Sequence, residues 1–355
     1  MQDNQSPFPA YKEIPVDEED YRYSQSFYPN VATDLPLAKA FFDQYGFCIF
    51  RGVLPKEQCG ENVKDMMALL QERNPNVDPE NPIFLTGLTH FGCPKRVNSL
   101  FRPPLLRLRQ DPVLHRVLAT VLGNNDLIVN HDRWLLHRPP PASSQKPLTR
   151  RNVHIDMNPF EFADETAKVE IQHRLSQLEY GKNDRAFIAE NNDVHESMLM
   201  DGGGVVQAIV NLRDIPSRDH GGTILIPGSH KTFSAWLGQC ADANKRRVGP
   251  MQYVLDDNAD RELLSLVQHP TLRAGSVIVW DQRVFHGSTP NMSSNFRAAI
   301  PIKAFSAVQL QQDPKRARER AAAIQREIER VGFETELTDH GRRVFGLDLR
   351  QPKKP

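Results

Sequence analysis

The sequence predicts a mainly β protein, a sandwich or jelly roll with flanking helices, and three features predict it. From residue 126 onward, short apolar runs recur between Gly and Pro, at 127–129, 134–136, 205–212, 223–226, 276–280 and 298–305. Repeated short strands separated by turn signals are the pattern of a closed or double β layer. Helical periodicity is confined to the stretches before and after them. All 355 residues are read as one domain, a length that β barrels with helical additions commonly fill.

Residues 1–35 are polar and irregular and read as an N-terminal arm. Residues 36–125 read as helical support, with a short helix at 36–45 leading into a strand at 46–51. Val63, Met66, Met67 and Leu70 place a second apolar face at three-and-four spacing over 61–73. Val113, Leu114, Val117, Leu118 and Val121 do the same over 112–122. The jelly-roll core is expected at 126–305. It is interrupted at 159–204 by acidic, helix-compatible sequence ending in Gly202, Gly203 and Gly204, which reads as an insertion and a lid. Residues 306–355 read as a C-terminal helix and tail. Asp313 and Pro314 form an N-cap and first turn, and Ala317, Ala321, Ile324 and Ile328 turn inward.

Lys plus Arg and Asp plus Glu both number 44, so no net field draws nucleic acid or an anionic membrane, and neither is expected as a partner. Cys48, Cys59, Cys93 and Cys240 form no CxxC pair, which argues against a zinc knuckle or a disulfide framework. Cys48 lies among Phe47, Ile49 and Phe50 and reads as a buried thiol. No basic start with an apolar block and no membrane-length apolar run is present, so a cytoplasmic location is expected.

The chemistry concentrates in two segments. His154-Ile-Asp156 is the only His-x-Asp of the chain, a pattern that 12 histidines would give about 1.5 times by chance if Glu is allowed at the third position. Its weight comes from spacing, because residues i and i+2 of a strand share a face and can grip one ion. The segment at 275–291 supplies a third ligand, His286, after a buried strand and a turn. Two imidazoles and one carboxylate leave half an octahedron open. That is the facial triad of non-haem Fe(II) oxygenases, whereas a structural zinc site would want a fourth protein ligand. Arg297, eleven residues after His286, begins the next apolar run and is expected on a neighbouring strand. Its planar fork suits a carboxylate, to which Ser288 can add a hydroxyl donor.

In this order the blocks resemble the phytanoyl-CoA dioxygenase (PhyH) family of Fe(II)/2-oxoglutarate-dependent oxygenases. The resemblance runs over about 37–305 and is carried by 41–54 (FFDQYGFCIFRGVL), 135–140 (LLHRPP), His154-Ile-Asp156, 221–231 (GGTILIPGSHK), His286-Gly-Ser288 and Arg297. Residues 337–347 are similar to the family's C-terminal segment. The resemblance implies a double-stranded β-helix, Fe(II) held by His154, Asp156 and His286, and the far carboxylate of 2-oxoglutarate on Arg297 and Ser288. Gln207 stands where some members carry a tryptophan beside the cosubstrate. His230 of the PGSHK block is read as a loop residue and not a ligand. The implied reaction consumes O2 and 2-oxoglutarate, releases succinate and CO2, and hydroxylates an unactivated C–H bond of a small-molecule metabolite. Halogenation is disfavoured, because related halogenases replace the carboxylate at the position of Asp156. Two alternatives stand beside this reading: a cupin-type metalloenzyme without 2-oxoglutarate, and a non-catalytic jelly roll that binds or senses a small acid.

Overall fold

The computed structural model describes residues 6–73, 75, 87–95, 100–141, 146–162, 165–176, 205–239, 252–311 and 314–348. The strands among these residues are β1 (Phe47–Phe50), β2 (Leu127–Val129), β3 (Leu135–His137), β4 (Asn152–Ile155), β5 (Val205–Asn211), β6 (His220–Leu225), β7 (Tyr253–Val254), β8 (Val277–Asp281), β9 (His286–Asn291) and β10 (Arg297–Ser306). One sheet runs β1-β8-β5-β10-β2, with β3 also pairing with β10; the other runs β6-β9-β4-β7. Every strand pair is antiparallel. Two facing antiparallel sheets are the jelly roll that the recurring short runs predicted.

Alternation along the strands builds two separate cores. On the outer face of the larger sheet, Cys48, Phe50, Val206, Ala208, Val210, Val277, Val279 and Ile300 pack against helices. These are α1 (Asp34–Tyr45), α2 (Lys56–Arg73), α3 (Pro103–Arg109) and α4 (Pro112–Leu122). On the inner face Phe47, Ile49, Ile209, Ile278, Trp280 and Ala299 pack towards Leu225 of the opposite sheet. A register slip by one residue would exchange the two sets, so burial of both faces fixes the pairing.

Capping explains where the helices stop. Asp111 accepts hydrogen bonds from the backbone N–H of Val113 (2.7 Å) and Leu114, and Gly123 closes α4 in the left-handed region. Gly46 does the same for α1 at φ 79° and turns the chain directly into β1. Helix α2 begins at Lys56, five residues before the expected start at 61, because Cys59 already belongs to the buried face. The expected helical support at 36–125 therefore also gives the larger sheet its edge strand, β1.

The expected insertion at 159–204 opens with α5 (Pro159–Phe162) and α6 (Glu165–Ser176). Residues 177–204, including the three glycines, lie outside the described residues, as do Cys240 and Asp313. Helices α7 (Ser229–Gln239) and α8 (Arg261–Ser265) flank the smaller sheet, and α9 (Ala307–Gln311), α10 (Pro314–Arg330) and α11 (Asp339–Val344) follow β10. Helix α10 buries Ala317, Ala321, Ile324 and Ile328 as its spacing predicted, together with Arg320, which donates to the carbonyls of Val129 and Phe345. Burial pushes the Cys48 thiol up and the Cys59 thiol up to about 11, so neither is a nucleophile at neutral pH. Among the described residues no helix is long and apolar enough to cross a membrane.

Candidate metal centre

The smaller sheet brings the two chemical segments together. β4 and β9 pair antiparallel, with His154 directly opposite His286. Val153 and Ile155 are buried among Phe160, Trp236, Tyr253 and Phe285, so the two-residue alternation turns Asn152, His154 and Asp156 to the other side. Asp156 sits just past the end of β4. The ligand atoms of His154, Asp156 and His286 lie within 4.8 Å of one another, and no other group of this kind occurs among the described residues. A cavity of about 590 Å³ between the sheets contains all three, a volume suited to a small molecule. A larger cavity of about 820 Å³, beside α4 and α11, holds His115 and His340 but, among the described residues, no metal-binding cluster.

Charge and tautomer suit a divalent ion. His286 Nδ1 lies 2.9 Å from the carbonyl of Val284, so as an N–H donor it leaves Nε2 free for the cavity. Burial, with the neighbouring His154, lowers the His286 pKa to about 3, which keeps the ring neutral at ordinary pH. Burial works against the charge of Asp156, but the Lys303 ammonium and the His154 hydrogen bond hold its carboxyl well below the usual range. A neutral imidazole and an ionised carboxylate are the forms that metal binding requires. With His154 as second imidazole, the donor set fits a facial-triad ion and offers no fourth protein ligand among the described residues.

Arg297 lies in the same cavity, 2% exposed. Nη1 lies 3.5 Å from His137 Nδ1, Nη2 donates to Thr223 Oγ1 at 3.4 Å, and Nε has no partner. Among the described residues no carboxylate pairs with this guanidinium, and burial lowers its pKa to about 10. A buried charge satisfied only by long contacts to neutral groups is costly unless something anionic joins it. Ser288 also lines the cavity, but Asn152 engages it: Asn152 Oδ1 accepts from the Ser288 N–H at 2.9 Å and from its hydroxyl at 3.3 Å. Gln207 lines the cavity from β5, with Nε2 buried and without a partner. His230 begins α7 rather than lying in a loop; its Nε2 faces the carbonyl of Asp43, away from the cluster.

The expected placement of Arg297 is corrected as well. Arg297 and His286 do not lie on neighbouring strands; residues 292–296 carry the chain from β9 in the smaller sheet to β10 in the larger one, so the two side chains face each other across the cavity. Antiparallel alternation within one sheet would have turned a residue eleven positions on to a different neighbour, whereas crossing between layers closes the cavity around both. Sequence reasoning also missed Lys303, Thr223 and Asn152. Lys303 carried a signal, being the only charged residue in the apolar run 298–305.

Gly287 sets the spacing between the ligand-bearing strands. A Cβ there would collide with the carbonyl oxygen of Asn152 and come within 2.9 Å of its side-chain oxygen. Gly287→Ala must push β9 away from β4 and separate His286 from His154. Overpacking of this kind costs about 1–3 kcal/mol. The expected outcome is a lower melting temperature together with weaker metal binding, read by calorimetric titration of the metal-free protein.

Comparison with known proteins finds a matching family model, a curated relative and a solved structure that shares the fold. The phytanoyl-CoA dioxygenase (PhyH) family model matches residues 182–299, a span that includes His286, Ser288 and Arg297 but begins after His154 and Asp156. The curated "Putative phytanoyl-CoA dioxygenase" of Dictyostelium discoideum is 29% identical over 275 residues, covering 75% of this chain and 74% of that protein. Among solved structures, GIG2 (DUF1479) of Candida albicans shares the fold at a TM-score of 0.57 and 13% identity, over 89% of this chain and 77% of that one. EctD from S. alaskensis, crystallised with 2-oxoglutarate and 5-hydroxyectoine, aligns more distantly at a TM-score of 0.47 and 17% identity, over 79% of this chain and 78% of that one. The chain is thus similar to the phytanoyl-CoA dioxygenase (PhyH) family over residues 182–299, and over most of its length to a curated protein named for that family.

Proposed function

We propose that the chain is an Fe(II)- and 2-oxoglutarate-dependent dioxygenase that hydroxylates an unactivated C–H bond of a small-molecule metabolite. The observation that carries this reading is one cavity holding both a two-histidine, one-carboxylate donor set and a buried arginine that has no carboxylate partner among the described residues. A cupin-type enzyme that uses no 2-oxoglutarate has no need of that guanidinium. His154, Asp156 and His286 would hold the ion, which when bound supplies the redox chemistry that couples loss of CO2 from 2-oxoglutarate to oxidation of substrate.

The chain's own residues do the rest. Arg297 offers a preorganised fork to the distal carboxylate, with Thr223 and His137 keeping its orientation. Ser288 stands beside this position, and Gln207 presents an unsatisfied amide N–H to the cosubstrate from the larger sheet. Leu135, Ile209, Pro301 and Trp280 give the remaining wall an apolar surface that excludes water and holds an aliphatic substrate near the donor set. Purified protein supplied with Fe(II), 2-oxoglutarate and air should release succinate, and a matching metabolite should raise the rate. Absence of succinate with iron bound would favour the small-acid-binding alternative.

A further inference from the structure

Beyond the donor set and Arg297, three charged side chains line the cavity: Asp132 and Arg133, which pair with each other at 3.5 Å, and Lys303, which engages Asp156 of the donor set itself. On β10 the inward residues run Arg297, Ala299, Pro301 and Lys303, so the arginine and the lysine stand at opposite ends of one face. In the sheet register Lys303 lies opposite Gln207, and Gln207 opposite Trp280. One row of cavity-lining side chains therefore crosses three strands and faces the donor set. Lys303 is 6% exposed, and its Nζ lies 2.9 Å from Asp156 Oδ2. The other oxygen, Asp156 Oδ1, lies 3.2 Å from His154 Nε2.

The two oxygens of this carboxylate are thus in different environments: Oδ1 on the imidazole side, Oδ2 engaged by an ammonium fixed to the opposite sheet. We propose that Lys303 is a positioning residue that keeps Asp156 a one-oxygen ligand. With Oδ2 held across the cavity, the carboxylate cannot turn both oxygens onto one ion, and the positions that 2-oxoglutarate and dioxygen need stay free. A neutral donor would hold the oxygen as well, but a cation beside a divalent ion also weakens metal binding through repulsion. The lysine thus trades metal affinity for open coordination positions. This inference rests on the oxygenase reading above.

The test uses Mn(II) as the probe, added to the metal-free full-length protein. Its affinity is read by electron paramagnetic resonance and its bound waters by line broadening in 17O-water. Wild type should bind one Mn(II). Lys303→Met, of similar length and without charge, should bind Mn(II) about tenfold more tightly, carry one fewer bound water, and bind 2-oxoglutarate about tenfold more weakly. Lys303→Arg should restore the wild-type water count. If the methionine variant does not fold, Lys303→Leu, likewise without charge or hydrogen-bond donor, makes the same comparison. An unchanged water count, or weaker Mn(II) binding in a folded uncharged variant, overturns the role given to Lys303 while leaving the metal centre standing. Failure of the wild type to bind Mn(II) or another divalent ion overturns the metal-centre reading and this proposal with it.

Discussion

Replacing Arg297 by alanine is expected to weaken 2-oxoglutarate binding by roughly 10²- to 10³-fold, or about 3–4 kcal/mol, with little loss of fold stability. The two halves of this expectation have one cause. The guanidinium is buried and has no carboxylate partner among the described residues, so truncation removes an uncompensated charge rather than a structural ion pair. In the complex, the same truncation strands the distal carboxylate of 2-oxoglutarate in a desolvated cavity. Arg297→Lys keeps the charge but loses the two-pronged geometry and should fall between. Calorimetric titration of 2-oxoglutarate into the metal-loaded protein, beside a melting curve, measures both. A variant that melts early yet keeps its 2-oxoglutarate affinity would make Arg297 a structural residue.

His154→Ala is expected to abolish stoichiometric Fe(II) binding. Loss of residues that merely orient a ligand typically costs 10- to 100-fold in metal affinity, so loss of a direct donor should exceed about 10²-fold. The fold should survive, because β4 is anchored by Val153 and Ile155 on the opposite face. Circular dichroism and metal analysis together distinguish this from general unfolding; full iron occupancy in the variant would reassign the donor set.

Local pattern made much of this architecture legible in advance. Apolar runs at 127–129, 205–212, 276–280 and 298–305 became β2, β5, β8 and β10 within a residue or two, because a strand buried on both faces must be continuously apolar. The His154-Ile-Asp156 spacing identified a shared face because that is local geometry, and His286 followed from a strand and turn. The pairing of His154 with His286, by contrast, is a contact across 132 positions that no periodicity encodes. Lys303 reaches Asp156 from the opposite sheet, Asn152 takes the hydroxyl of Ser288, and Thr223 takes a guanidinium N–H of Arg297. Each depends on how two layers stack, and stacking is set by the whole core. The two-residue strand β7 escaped notice for a simpler reason, being too short to show a period.

The most direct test is an anaerobic titration of 2-oxoglutarate into the Fe(II)-loaded chain, followed by visible absorption. A saturable charge-transfer band at one cosubstrate per iron, present in wild type and absent in His286→Ala, is the predicted result. Iron bound without such a band, or a band that survives loss of His286, would contradict the joint assignment of this cavity to Fe(II) and 2-oxoglutarate.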